Sequence, residues 1–204
     1  MKVINLFGAP GAGKSTTMLD LTSDLKLMGL SVENTPEFFK ELILEDSHKA
    51  AFGGQLHILS EQNRRLARLE GKNDIAVTDC PLPLIGYYTP ENYIEGFSKF
   101  VNSLYNRYDN INYFILRKHD FEIEKRIHTE DQSDKIAEDL LEMLNVNKIK
   151  FKVFNSCHEI SALIIEDMVR EKILDKSQLE KYIVFQNEKV AQINALGNRF
   201  KFKV

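Results

Sequence analysis

The sequence predicts an α/β fold built on a parallel sheet, and three observations carry that expectation. Residues 3–7 form an apolar run rich in β-formers, followed by a glycine-rich turn and then a helical pattern. Further strand-like runs recur along the chain, each separated from the next by a helical segment, an alternation that lays strands in parallel with right-handed crossovers. At 204 residues and 43% hydrophobic, the chain suits one domain with a sizeable core.

The turn after the first strand reads Gly8-Ala9-Pro10-Gly11-Ala12-Gly13-Lys14-Ser15-Thr16, the G-x-x-x-x-G-K-[ST] pattern of a phosphate-binding loop. Glycines without a Cβ let the backbone point several N–H groups inward. The helix that follows adds its positive dipole end, so the loop becomes an anion cradle. Lys14 is expected at the β- and γ-phosphates, and the Ser15 hydroxyl on Mg²⁺. This stretch predicts a nucleoside-triphosphate site.

The remaining elements follow in order. Met18, Leu21, Leu25 and Met28 recur at helical spacing, and Gly29 stands where a C′ glycine belongs. Leu30 and Val32 begin a short second strand. Thr35-Pro36-Glu37 reads as an N-cap with proline at N1, opening a helix with Phe38, Phe39, Leu42 and Ile43. A helix spans about 54–70, with Leu56, Leu59, Leu66 and Leu69 inward, and ends at Gly71. Residues 75–79 form a third strand ending in a carboxylate. A second Thr-Pro-Glu start, at Thr89, opens a helix with Ile94, Phe97, Val101 and Leu104 on one side. Residues 111–116 form a fourth strand ending at Arg117. A helix over about 134–145 turns Ile136, Leu140, Leu141 and Leu144 inward. In the fifth strand Ile149, Phe151 and Val153 alternate with Lys148, Lys150 and Lys152, as on an edge with one wet face. Residues 176–204 fit this plan poorly: the runs 182–185 and 200–204 read as short strands or as a partner-binding tail. The organisation is therefore a domain over 1–175 and an extension over 176–204.

Several side chains are candidates for chemistry at the carboxyl ends of the strands, where ligands bind in such sheets. Asp79 has the position of a Walker B acid holding Mg²⁺ directly or through water; its alternative is a turn aspartate before Pro81. Glu37 fits a general base for an acceptor hydroxyl, a residue reaching Mg²⁺ through water, or a favourable charge in a first helical turn. Arg117 and Arg126 bracket a charged segment that is either a lid over the transferring phosphoryl group, about 117–133, or a solvated loop. Gln55, Gln62 and Arg65, with Arg64 nearby, fall on one helix face suited to acceptor recognition, a pattern an ordinary surface helix shares. Asn155-Ser156-Cys157 after the fifth strand is a candidate base-contacting turn.

Composition narrows the partners. The net charge of −3 disfavours broad DNA binding. The two cysteines, Cys80 and Cys157, have no paired spacing for zinc or a disulfide framework. No apolar run reaches a membrane span and the chain opens directly on a strand, so a cytoplasmic setting is expected. Oligomeric state is not legible.

These motifs together resemble a group of P-loop proteins, many phage-encoded, usually labelled AAA-family ATP-binding proteins, and the ribosylnicotinamide kinase domain of the bacterial NadR regulator. The resemblance covers about 1–145 through G-A-P-G-A-G-K-S-T, T-P-E-F-F-K-E-L, the Q-N-R-R helix, the T-D-x-P strand end and N-R-Y-D-N-I-N-Y-F-I-L-R. It implies a P-loop NTPase fold of nucleoside- or nucleotide-kinase type: a five-stranded parallel sheet flanked by helices, a short lid and an acceptor pocket. Glu37 and Asp79 would lie in the active site and Arg117 and Arg126 in the lid, although Lys125 stands where a glycine often precedes the second lid arginine. The leading expectation is an ATP- and Mg²⁺-dependent kinase acting on a small nucleoside or (deoxy)nucleotide. The alternatives are a kinase acting on a hydroxymethylated base in DNA and a non-kinase nucleotide switch.

Overall fold

The computed structural model describes residues 1–46, 54–118 and 129–200, with side chains for all of these except 189 and 193–200. Five strands, β1 (Lys2–Phe7), β2 (Val32–Thr35), β3 (Ile75–Thr78), β4 (Asp109–Leu116) and β5 (Lys152–Asn155), form one parallel sheet in the order β2-β3-β1-β4-β5. The expected five-stranded parallel sheet is present, with β5 on its edge. β1 is central, and residues 3–7 are all buried. Its neighbours β3 and β4 come from far along the chain, with Lys2 opposite both Ile75 and Asp109.

Period-two alternation in β1 divides the core between the two faces. Ile4 and Leu6 turn toward Met18, Leu21 and Leu25 of α1 (Lys14–Leu27) and Ile164, Ile165 and Met168 of α7 (Ile160–Arg170). Val3 turns the other way, toward α3 (Gln55–Ala67), α4 (Leu82–Tyr87) and α5 (Phe97–Tyr105). Phe7 packs with Phe114 and with Leu140 and Leu144 of α6 (Glu130–Val146). The short α2 (Phe38–Leu44) follows β2, and α8 (Lys176–Phe200) ends the described chain. α1 stops as expected at Gly29, whose φ of 84° lets Leu30 N–H reach back to the Leu25 carbonyl at 3.2 Å.

Several expectations are corrected. Thr35 does not cap a helix: it is paired with Thr78 in the sheet and its carbonyl accepts the Thr78 hydroxyl at 2.9 Å, so the chain stays extended until Glu37, the actual N-cap of α2. Thr89-Pro90-Glu91 does not open α5 either. The Thr89 hydroxyl bonds back to the Ile85 carbonyl at 2.6 Å beyond the end of α4, and α5 begins only after Gly96. Ile94 is accordingly exposed, while Phe97 and Val101 are buried. In α3, Leu56 faces out and Ile58 takes the inward position beside Leu59 and Leu66.

β5 begins at Lys152, later than expected, and its pattern is out of phase with the lysine alternation. Phe151 packs with the α6 cluster and Phe154 with the α1–α7 cluster, on opposite faces, which leaves Val153 exposed. The segment after residue 175 is neither a strand nor a loose tail at its start. Residues 182–185 lie within α8, which docks on α1 through Tyr182: the ring is buried in the same cluster as Leu21 and its hydroxyl donates to Asp24 at 3.1 Å. Residues 201–204 lie outside the described residues.

Candidate active site

The phosphate loop joins the carboxyl end of β1 to α1. Gly8 has φ 145°, and a Cβ there would stand 2.6 Å from the Ile115 carbonyl oxygen, so only glycine lets the loop lie this close to β4. Gly13, at φ 85°, is the N-cap of α1, and no side chain caps that helix. Its first amides are therefore not consumed by a side-chain cap, the arrangement that suits an anion. The loop is anchored from outside by the Ser133 hydroxyl of α6, which donates to the Pro10 carbonyl at 2.7 Å.

Five side chains converge beside it. The Lys14 ammonium donates to the carbonyls of Gly8 and Ala9 at 2.8 and 2.9 Å. Burial pulls its pKa down, and the nearby carboxylates of Glu37 and Asp79 oppose that pull. Asp79, buried at the end of β3, accepts two bonds: the Ser15 hydroxyl at 2.5 Å on one oxygen and the Glu37 amide at 3.0 Å on the other. Burial raises the Glu37 carboxyl pKa, partly offset by Lys14. Lys40, one turn into α2, donates to Ser15 Oγ at 3.3 Å.

The Ser15 hydroxyl and Asp79 carboxylate make an adjacent pair of hard oxygen donors at the loop's end. Such a set fits Mg²⁺, which takes one or two protein oxygens and completes its shell with phosphate and water. Among the described residues no cluster of His, Cys, Asp or Glu could enclose a metal alone.

The helix face expected to read an acceptor is turned in part toward the 36–38 backbone. Gln62 is fully buried, and its side-chain oxygen accepts the Phe38 amide at 3.1 Å. Arg65 is also buried and forms a two-bond pair with Glu41 at 2.6 and 2.9 Å. Arg64 is turned to solvent on Glu61, and Gln55 is buried at the start of α3. Both Gln62 and Arg65 thus serve the segment that carries Glu37. Arg117 stands just past β4 and pairs with Glu130 at 2.6 Å and Asp134 at 2.5 Å, both on α6. Arg126 and the middle of the expected lid lie outside the described residues. The turn after β5 meets the same end of β4: Ser156 accepts the Lys118 amide at 3.0 Å.

A family model described as an AAA domain matches residues 3–159, more than half of the chain. The chain belongs to this AAA-domain family. No curated protein matches it. Solved structures similar to this family member include a thymidylate kinase from Candida albicans, at 13% identity, with a TM-score of 0.48, covering 83% of this chain and 92% of that one. A deoxyadenosine kinase from M. mycoides with bound dCTP has 18% identity and a TM-score of 0.49, covering 84% of this chain and 100% of that one. The same kinase with the products dCMP and a flexible dCDP has 19% identity and a TM-score of 0.47, covering 94% of this chain and 100% of that one.

One residue beside the phosphate loop escapes sequence reasoning. Lys40 carries a recoverable signal, since it lies three positions after Glu37 on one helix.

Proposed function

We propose that this protein is a kinase that transfers the γ-phosphoryl group of ATP to a small nucleoside or (deoxy)nucleotide acceptor. The observation that carries the reading is Asp79, whose two oxygens hold the phosphate loop through Ser15 and the backbone of Glu37. One buried carboxylate thereby sets the distance between the triphosphate end of the crevice and the candidate base.

In this reading the loop amides and Lys14 hold the triphosphate and neutralise its charge. Mg²⁺, held by Ser15 and through Asp79, would supply further charge neutralisation between the β- and γ-phosphates. Glu37 accepts the proton of an acceptor hydroxyl as its oxygen bonds to the γ-phosphorus and the bond to the β–γ bridging oxygen breaks, leaving ADP. The raised pKa of this carboxyl brings it nearer to neutrality, where a general base works best. Arg117 and Arg126 are the candidate lid cations that stabilise the transferring group. Residues 1–175 supply every group named here.

The test is incubation with γ-labelled ATP and Mg²⁺ over a panel of nucleosides, deoxynucleotides and nicotinamide riboside. Label on one small-molecule class supports the proposal. Label only in DNA would replace it with base modification in polymer, and hydrolysis with no labelled acceptor would replace it with a nucleotide switch.

A further inference from the structure

The element that carries the candidate base is poorly anchored by its own packing. α2 has seven residues, none fully buried, and among the described residues Phe39 and Leu42 pack in part against the core. A helix this short does not hold itself in water. Its position must come from outside.

Two side chains of α3 supply it. Gln62 grips the backbone on both sides of Glu37. Its oxygen accepts the Phe38 amide at 3.1 Å, while its nitrogen donates to the Pro36 carbonyl at 3.3 Å and lies 3.4 Å from the Thr78 hydroxyl. Arg65 donates to the same Pro36 carbonyl at 3.2 Å, forks onto both oxygens of Glu41, and lies 5.0 Å over the Phe38 ring. Glu61, one turn back on α3, holds the guanidinium in place at 3.0 Å. The Glu37 amide itself goes to Asp79 at 3.0 Å.

The chemistry of the position is narrow. It needs an acceptor and a donor on one short planar group, which an amide provides and a carboxylate does not. Asparagine has the groups but is one methylene too short.

We propose that Gln62, seconded by Arg65, is the positioning residue for Glu37, fixing the 36–38 backbone so that the carboxylate reaches the acceptor oxygen. This rests on the kinase reading above. The phosphate loop does not depend on either residue, so loosening the brace should slow phosphoryl transfer without weakening the grip on the triphosphate. A displacement of about 1 Å can cost roughly a hundredfold in rate.

The experiment uses the full chain with the acceptor found in the labelling panel. Gln62→Met keeps the shape and removes both hydrogen-bonding groups; Arg65→Lys keeps the charge and loses the fork. Triphosphate Kd, acceptor KM and kcat are measured for each, alone and combined with Glu37→Gln. Gln62→Met should lower kcat about 10- to 100-fold with triphosphate Kd within about twofold, and Arg65→Lys should follow the same pattern more weakly. In the Glu37→Gln background neither should lower kcat further. Losses that multiply with Glu37→Gln, or an unchanged kcat in folded Gln62→Met, overturn the positioning role alone. Failure of the wild-type chain to phosphorylate any acceptor overturns the kinase reading and this role with it.

Discussion

The two ends of the crevice are built in opposite ways. At the phosphate end, Lys14 bonds to Gly8 and Ala9 and Thr17 to Gly13, all within six residues. At the base end, among the described residues, the side-chain hydrogen bonds to the Thr35–Phe38 backbone come from 24 or more residues away, from Gln62, Arg65, Thr78 and Asp79. An array of amides for an anion can be made from consecutive residues, so it can be written as a motif. A single carboxylate at a set point requires distant parts of the chain to agree. Asp79 is where the two constructions meet.

The sharpest way to break this comparison is at the phosphate end. Lys14→Ala should lower turnover by about 10³-fold or more and remove most triphosphate binding, while leaving the amide exchange of Phe38 unchanged. Triphosphate affinity unaltered in that variant would remove the loop from the site. Asp79→Asn should damage both ends together, weakening Mg-ATP binding and lowering kcat, by about 10²-fold in kcat/KM. Loss of only one of the two would show that the ends are not joined there.

Glu37→Gln should lower kcat by about 10²-fold or more with triphosphate Kd unchanged. It also has a stability signature. Burial raises this carboxyl above its ordinary value of 4.5 in the folded state. The folded chain therefore keeps the proton to higher pH than the unfolded chain, and stability falls as pH climbs from that value through the raised one. The variant lacks this penalty, so its melting temperature should decline less than the wild type's as pH rises above 4.5. An equal decline would deny the burial of the acid.

Gly8→Ala sharpens the local half. The added Cβ meets the Ile115 carbonyl, so a loss of about 3 kcal/mol in chemical denaturation is expected. The smallest effect lies far from both ends. Tyr182→Phe removes the hydroxyl bond to Asp24 and should cost about 1 kcal/mol with turnover unchanged. A changed turnover there would extend the site to α8.

Much of the fold was legible because its signals are short in range. Residues 3–7 and 75–78 form strands of the expected sheet, and Gly29 ends α1 where a C′ glycine should. The misreadings share a cause. Thr35-Pro36-Glu37 and Thr89-Pro90-Glu91 look alike in sequence, yet the sheet claims Thr35 and the end of α4 claims Thr89. Gln62 and Arg65 read as a face suited to acceptor recognition or as an ordinary surface helix, and their burial was not legible because it depends on partners that sequence spacing does not reveal. The apolar run at 182–185 fits a strand by composition, but packing of Tyr182 on α1 settles it as helix.

By itself, the sequence determined the parallel α/β plan, the phosphate loop over residues 8–16 and the carboxylate at the end of the third strand, since each depends on a few neighbouring residues and on backbone geometry that glycine permits. Only the tertiary structure decided that α3 braces Glu37, that Asp79 bridges the loop to it, and that α8 folds back onto α1. Those are bonds between groups tens of residues apart, formed where sheet order and burial bring them together.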